Sequence, residues 1–386
     1  MHGRKKSDLP QTKEEKDAVN TKISNYKKVV GAIRHKRANG NLDGEYKQLL
    51  GKLLRLHPDY YSMWNFRKEA VLAELDRIGD AAAGVSNGEG GGKAVEGNGS
   101  SEGQGVLLRG VYEEELTLSV DCIKRNPKSY PAWHHHKWAL ERGLTLLGGR
   151  SALVDDLALC AQLLELDGRN FHCWAHRMWV AEQMGLSAQE EFDFTTDKIK
   201  QNFSNYSAFH FRSKVLPRMV AEAGHDRWQL LSDELELTHD AMFTEPADQS
   251  VWWYHHFLLT WAEESVTSVD AERYENFLRA EAATLEELIE VEDRCKWAEL
   301  ALLLVSQRLA NALDRRSEAP VEEPVERSGV GGDEEARKVR ERCRGMAARL
   351  SDLDPMHGQF YEFVARGGAV FGGAAAGGPA DETKEG

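Results

Sequence analysis

Apolar and polar positions along this chain recur with the 3.6-residue period of amphipathic helices, and no stretch alternates with the period of two expected of a strand. The segments SALVDDLALCAQLLEL (151–166) and SAQEEFDFTTDKIKQ (187–201) are clear cases, the second opened by a Ser187/Glu190 capping box. The pattern also repeats at a longer period. Aligned on an aromatic anchor, the chain reads HPDYYSMWNFR (57–67), NPKSYPAWHHH (126–136), DGRNFHCWAHR (167–177), NFSNYSAFHFR (202–212) and EPADQSVWWYH (245–255). The anchors are Trp64, Trp133, Trp174, Phe209 and Trp252, with a weaker copy at Trp297 and the opening of a seventh in DPMHGQFY (354–361). From Trp133 onward they are 41, 35, 43 and 45 residues apart, room for a helix, a turn and a second helix per unit. The first spacing, 69, is longer. The pattern predicts an all-α solenoid of helical hairpins.

Each position of the unit has a physical reading. Pro58, Pro127 and Pro246, six before the anchor, stop the preceding helix. Ser129, Asn170, Asn205 and Asp248, four before it, are natural N-caps. Tyr61, Tyr130, Phe171 and Tyr206 stand three before the anchor; Val71, Leu140, Ala181, Leu216 and Leu259 stand seven after it. The spacing predicts that both sets share the anchor's buried face.

Three stretches interrupt the repeat. A Gly/Ser-rich insert (79–110) explains the long first spacing and is expected to be disordered; an acidic linker covers 315–333 and a flexible tail 367–386. Between them lie an N-terminal segment with the first repeat (1–78), repeats two to six (111–314), and a C-terminal helix with a truncated repeat (334–366). The five cysteines are odd in number and never form a C-x-x-C pair, which speaks for thiols in helices rather than a disulfide framework. A net charge of −14 disfavours non-specific nucleic-acid binding, although the first 40 residues are rich in lysine. No apolar run suggests a membrane span or a secretory leader, so the expected location is the cytoplasm.

Autonomous chemistry is not visible. His134, His135 and His136 are consecutive and on a helix point about 100° apart, so they cannot converge on one metal ion. No H-E-x-x-H, Gly-rich phosphate loop followed by Lys, or G-x-S-x-G occurs. Arg67, His136, Arg177, Arg212 and His255, three after each anchor, border the buried stripe and are expected to pack there and bond neighbouring acids or carbonyls.

The repeat core, P-x-x-Y-x-x-W-x-x-R in outline, resembles that of protein prenyltransferase α subunits. NPKSYPAWHHH, RNFHCWAHR, NFSNYSAFHFRS, DQSVWWYHHFLL and the opening MHGR resemble the Rab geranylgeranyl branch in its short, fungal form. The resemblance implies a right-handed α-α superhelix forming an obligate heterodimer with a β subunit that holds the zinc and most of the active site. Such a dimer moves geranylgeranyl from geranylgeranyl diphosphate to C-terminal cysteines of Rab GTPases presented by a Rab escort protein. No catalytic residue and no cofactor are expected on this chain itself. Its contribution is implied at turn positions matching the family's diphosphate-facing cations, Lys128 and Arg169. The alternative for both is a plain exposed turn cation. Where farnesyltransferase relatives carry Lys and Tyr, this chain has Arg169 and Phe171 and so lacks that phenol hydroxyl. His2 is either a frayed terminal residue or a ligand able to reach the β subunit's zinc when substrate is absent. Two other identities remain. One is the α subunit shared by farnesyltransferase and geranylgeranyltransferase type I; the other, a tetratricopeptide-like scaffold, has a 34-residue W-x-x-L-G unit that this chain lacks.

Overall fold

A computed structural model of the chain describes residues 12–86, 98–264, 266, 270–318 and 330–366. Among these residues there is no strand. The chain divides into two compact units at Leu186/Ser187. The first contains α1 (Lys13–Ala38), α2 (Gly44–Leu56), α3 (Tyr61–Ser86), α4 (Asn98–Arg125), α5 (Tyr130–Gly143), α6 (Arg150–Leu166) and α7 (Phe171–Met184). The second contains α8 (Ala188–Gln201), α9 (Tyr206–Ala223), α10 (Arg227–Thr244), α11 (Gln249–Glu263), α12 (Ala271–Val291), α13 (Lys296–Glu318), α14 (Val330–Leu353) and α15 (Gly358–Ala365). Within each unit consecutive helices pair as antiparallel hairpins, α4 on α5 and α6 on α7, then α8 on α9, α10 on α11 and α12 on α13.

The anchors sit where the pattern puts them. Trp64, Trp133, Trp174, Phe209 and Trp252 are buried, as are Val71, Leu140, Ala181, Leu216 and Leu259, while Trp297 is half-buried. Each buried tryptophan also closes its own turn. Its indole N–H donates to the carbonyl six residues earlier, Trp64 to Pro58 (2.7 Å), Trp133 to Pro127 (2.8 Å), Trp174 to Gly168 (2.8 Å) and Trp252 to Pro246 (2.9 Å). This explains a tryptophan at the anchor: it fills the core and satisfies a carbonyl the turn would otherwise orphan. Asn170, Asn205 and Asp248 accept backbone N–H bonds as N-caps, and the Ser187/Glu190 capping box forms. Ser129 occupies the cap position of α5, but its buried Oγ makes no hydrogen bond.

Two expectations are corrected. The insert is not irregular throughout 79–110, because α3 continues to Ser86 and α4 begins at Asn98; residues 87–97 lie outside the described residues. Likewise α13 runs to Glu318 and α14 starts at Val330, so both ends of the 315–333 linker are helical. Extending an existing helix costs far less than nucleating one, so helices seeded in the packed body run on into poorly patterned sequence. The 367–386 tail lies outside the described residues. Second, the aromatics three before the anchor are not in the core: Tyr61, Tyr130, Phe171 and Tyr206 are 61%, 67%, 60% and 51% exposed. Each is the first residue of its helix, and helical side chains lean toward the N-terminus, so these rings project past the end of the packed body.

Candidate functional site

The residues three after the anchors build buried joints between hairpins, as expected, but their partners follow a rule not read from the sequence. Arg67 on α3 reaches Glu115 on α4 through Nε (3.0 and 2.9 Å) and Nη2 (2.6 Å). The same carboxylate accepts from His135 Nε2 on α5 at 2.9 Å. In the second unit Arg212 on α9 makes a fork onto Glu234 on α10 (2.7 and 2.5 Å), which the Tyr254 hydroxyl on α11 also contacts. His255 on α11 meets Glu281 on α12 at 2.8 Å. At Glu115 and Glu234 a carboxylate on the first helix of a hairpin is thus clasped by the previous hairpin and by its own second helix, whereas Glu281 draws both partners, His239 and His255, from the previous hairpin. The signal was present as a fixed separation of 20 residues in Glu115/His135, Asp156/His176 and Glu234/Tyr254. Burial alone would raise the Glu115 and Glu281 carboxyls, but the bonds from His135 and Arg67 to the first, and from His239 and His255 to the second, hold each down at about 2.

The consecutive histidines diverge, as helical geometry demands. His134 faces Lys68 (3.2 Å), His135 faces Glu115, and His136 turns to Asp156 on α6 at 2.8 Å. His176 on α7 approaches the other oxygen of Asp156 at 2.5 Å.

The turns that precede α3, α5 and α7 are tied in a row. Asn126 Nδ2 donates to Asp59 (2.8 Å), Asn170 Nδ2 to the Pro127 carbonyl (2.9 Å), and Lys128 Nζ lies 3.6 Å from Asp167. Lys128 and Arg169 therefore share one end of the first unit, both exposed, each beside an outward ring, Tyr130 and Phe171. The Tyr130 ring packs edge-on against His172, with centroids 5.0 Å apart, and burial pushes His172 down, keeping it neutral at pH 7. Asp167 ties the two turns: it accepts the Arg169 backbone N–H (3.1 Å) and lies 3.6 Å from the Lys128 ammonium. Chemically this face offers two cations among aromatic planes, an anion-receptive rim on an apolar contact surface. Its described residues bring no group of His, Cys and carboxylate ligands together around Lys128 and Arg169, so it does not fit a zinc centre. His2 lies outside the described residues. In the second unit a cavity of about 230 Å³, walled by Trp252, Trp253, Trp297 and Phe360, was not anticipated.

Five segments, 47–73, 112–143, 153–184, 188–219 and 231–262, match the protein prenyltransferase alpha subunit repeat, and the chain belongs to the protein prenyltransferase α-subunit family. Among its relatives, the mouse geranylgeranyl transferase type-2 subunit alpha is 36% identical over 68% of this chain and 42% of its own length. The protein of that name from Dictyostelium discoideum is 29% identical over 74% of this chain and 81% of its own length, and that from Candida albicans 26% over 81% and 88%. The chain thus spans less than half of its mammalian relative. A solved chain of Candida albicans protein geranylgeranyltransferase-I, complexed with GGPP, superposes with a TM-score of 0.55 at 14% identity over 89% of this chain and 90% of that one. That likeness shows the all-α helical-hairpin fold. No helix of the described residues is long and apolar enough to cross a membrane.

Proposed function

We propose that this chain is the α subunit of a heterodimeric Rab geranylgeranyltransferase, working from the cytoplasm. It would hold a β subunit against the turn face of the first unit and lend cations to the diphosphate of geranylgeranyl diphosphate. The observation that carries this reading is the exposed row Tyr61, Tyr130 and Phe171 with Lys128 and Arg169 beside it. Large rings held outward at three successive helix starts leave an apolar surface that a partner must cover. The names of the relatives supply the type of transferase.

In this reading the reacting thiol is a C-terminal cysteine of a Rab GTPase delivered with an escort protein. Zinc, held by the β subunit, keeps that cysteine as thiolate at neutral pH. The present chain's task is electrostatic. As the bond to C1 of the isoprenoid breaks, negative charge grows on the diphosphate, and a fixed guanidinium at Arg169 stabilises the transition state more than the ground state. Lys128 is already partly neutralised by Asp167, 3.6 Å away. The Phe171 ring offers no hydroxyl, and its part is to exclude water beside the cation.

Arg169→Ala tests this directly. Measured by single turnover on dimer verified by size exclusion, kcat should fall roughly ten- to a thousandfold with assembly intact. Arg169→Lys should recover part of it, keeping the charge and losing the fork. An unchanged chemical step would remove Arg169 from the site.

A further inference from the structure

The carboxylate joints differ in what supplies positive charge. At Glu115 and Glu234 a guanidinium does, with two N–H groups on the two oxygens. At Asp156 no guanidinium or ammonium makes contact among the described residues: the carboxylate is met by two imidazoles, each on its own oxygen, His136 Nε2 at 2.8 Å and His176 Nε2 at 2.5 Å. All three side chains are at least nine-tenths buried. The chosen ligand atoms lie within 4.8 Å of one another, and no other group of three such residues among those described does so.

From this geometry we infer that His136, Asp156 and His176 form a binding site for a divalent transition-metal ion of the zinc class. Two imidazole nitrogens and one carboxylate oxygen are the donor set that zinc accepts. The far nitrogen of His136 is already anchored, Nδ1 lying 2.9 Å from Ser119 Oγ, which leaves Nε2 as the ligating atom. Zinc bonds of about 2.0–2.2 Å in tetrahedral array put neighbouring donors roughly 3.4 Å apart, against ligand atoms now within 4.8 Å of one another, so admitting the ion takes side-chain shifts on the order of an ångström. A metal ion needs the nitrogen lone pairs, so any proton on a ligating nitrogen leaves to solvent on binding, and the ion supplies positive charge where arginine supplies it at the sister joints. Helical geometry rules out the His134–His136 triplet as a site; this one draws on α5, α6 and α7 together. At Glu281, where two imidazoles also meet a carboxylate, His239 is 24% exposed, so that joint is open to solvent.

His136→Arg is the diagnostic variant because it installs the pairing seen at Arg67–Glu115 and Arg212–Glu234 and so preserves the fold. Full chain, co-purified with its partner subunit, is dialysed against zinc and then metal-free buffer, and metal per chain is measured by mass spectrometry. Zinc on the partner is common to both samples. Wild type should exceed His136→Arg by one equivalent. Equal contents would show that a proton alone completes the joint and overturn the proposal. Should His136→Arg not fold, Asp156→Asn keeps the side chain's shape, removes the anionic ligand and must lose the same equivalent; full retention overturns the proposal as surely.

Discussion

Replacing Glu115 by Gln isolates what one buried joint contributes. The side chain keeps its size, but the Arg67 guanidinium, 2% exposed, loses its buried counter-charge and keeps only the half-exposed Glu114 at 2.6 Å, and His135 Nε2 faces an amide. Leaving one member of a buried pair uncompensated costs about 3–5 kcal/mol, and with Glu114 still in contact the low end of that range applies. The carboxyl's own titration gives a similar figure. It is held at about 2 against an ordinary 4.5, a difference of about 2.5 units, which at about 1.4 kcal/mol per unit is about 3 kcal/mol. Because the folded-state value is lowered, this stability is fully present above about pH 4.5 and is lost as pH falls toward 2. Urea unfolding followed by circular dichroism at pH 7 should therefore show the midpoint of Glu115→Gln reduced by roughly 1–1.5 M. Between pH 5 and 3 wild type should lose stability more steeply than the variant. Replacing the pair together, Arg67→Met with Glu115→Leu, should recover most of the loss, since removing both charges also removes their desolvation. A midpoint shift below about 0.3 M, or equal pH dependence in both proteins, would refute the account of the joint.

Two other substitutions separate the core from the surface. Trp174→Ala should cost about 3–5 kcal/mol and Trp174→Phe about 1–2, the latter mainly through the lost bond to the Gly168 carbonyl; equal effects would deny that bond any weight. Tyr130→Ala combined with Phe171→Ala should leave the thermal midpoint of the chain within about 2 °C yet weaken heterodimer assembly by an order of magnitude or more in analytical ultracentrifugation, whereas a large loss of midpoint would return these rings to the core.

Much of this was legible in one dimension, because it repeats. The anchors, their buried partners seven residues on and the caps recur at fixed spacing, and each copy reinforces the others. What failed did so for reasons of direction and distance. Tyr130 and Phe171 satisfy the angular rule for the buried face, but angle around a helix says nothing of position along it, and at the first residue there is no body left to pack against. The carboxylate partners were missed because Glu115, Asp156 and Glu234 lie on companion helices, where a lone acid in an amphipathic pattern looks like solvated surface. Lys128 and Arg169 could be picked out only through the family resemblance. Their shared end and their common neighbour Asp167 emerge from hairpin stacking, which no spacing rule encodes.

The proposed role of this chain is that of one of two subunits of an enzyme. Its most direct test is geranylgeranyl transfer, measured with radiolabelled geranylgeranyl diphosphate on a Rab GTPase with its escort protein, by this chain co-expressed with a type-2 β subunit and by each chain alone. The account predicts turnover by the pair and none by either chain alone. Failure of the two chains to co-purify, or equal turnover by the β subunit without this one, would contradict it.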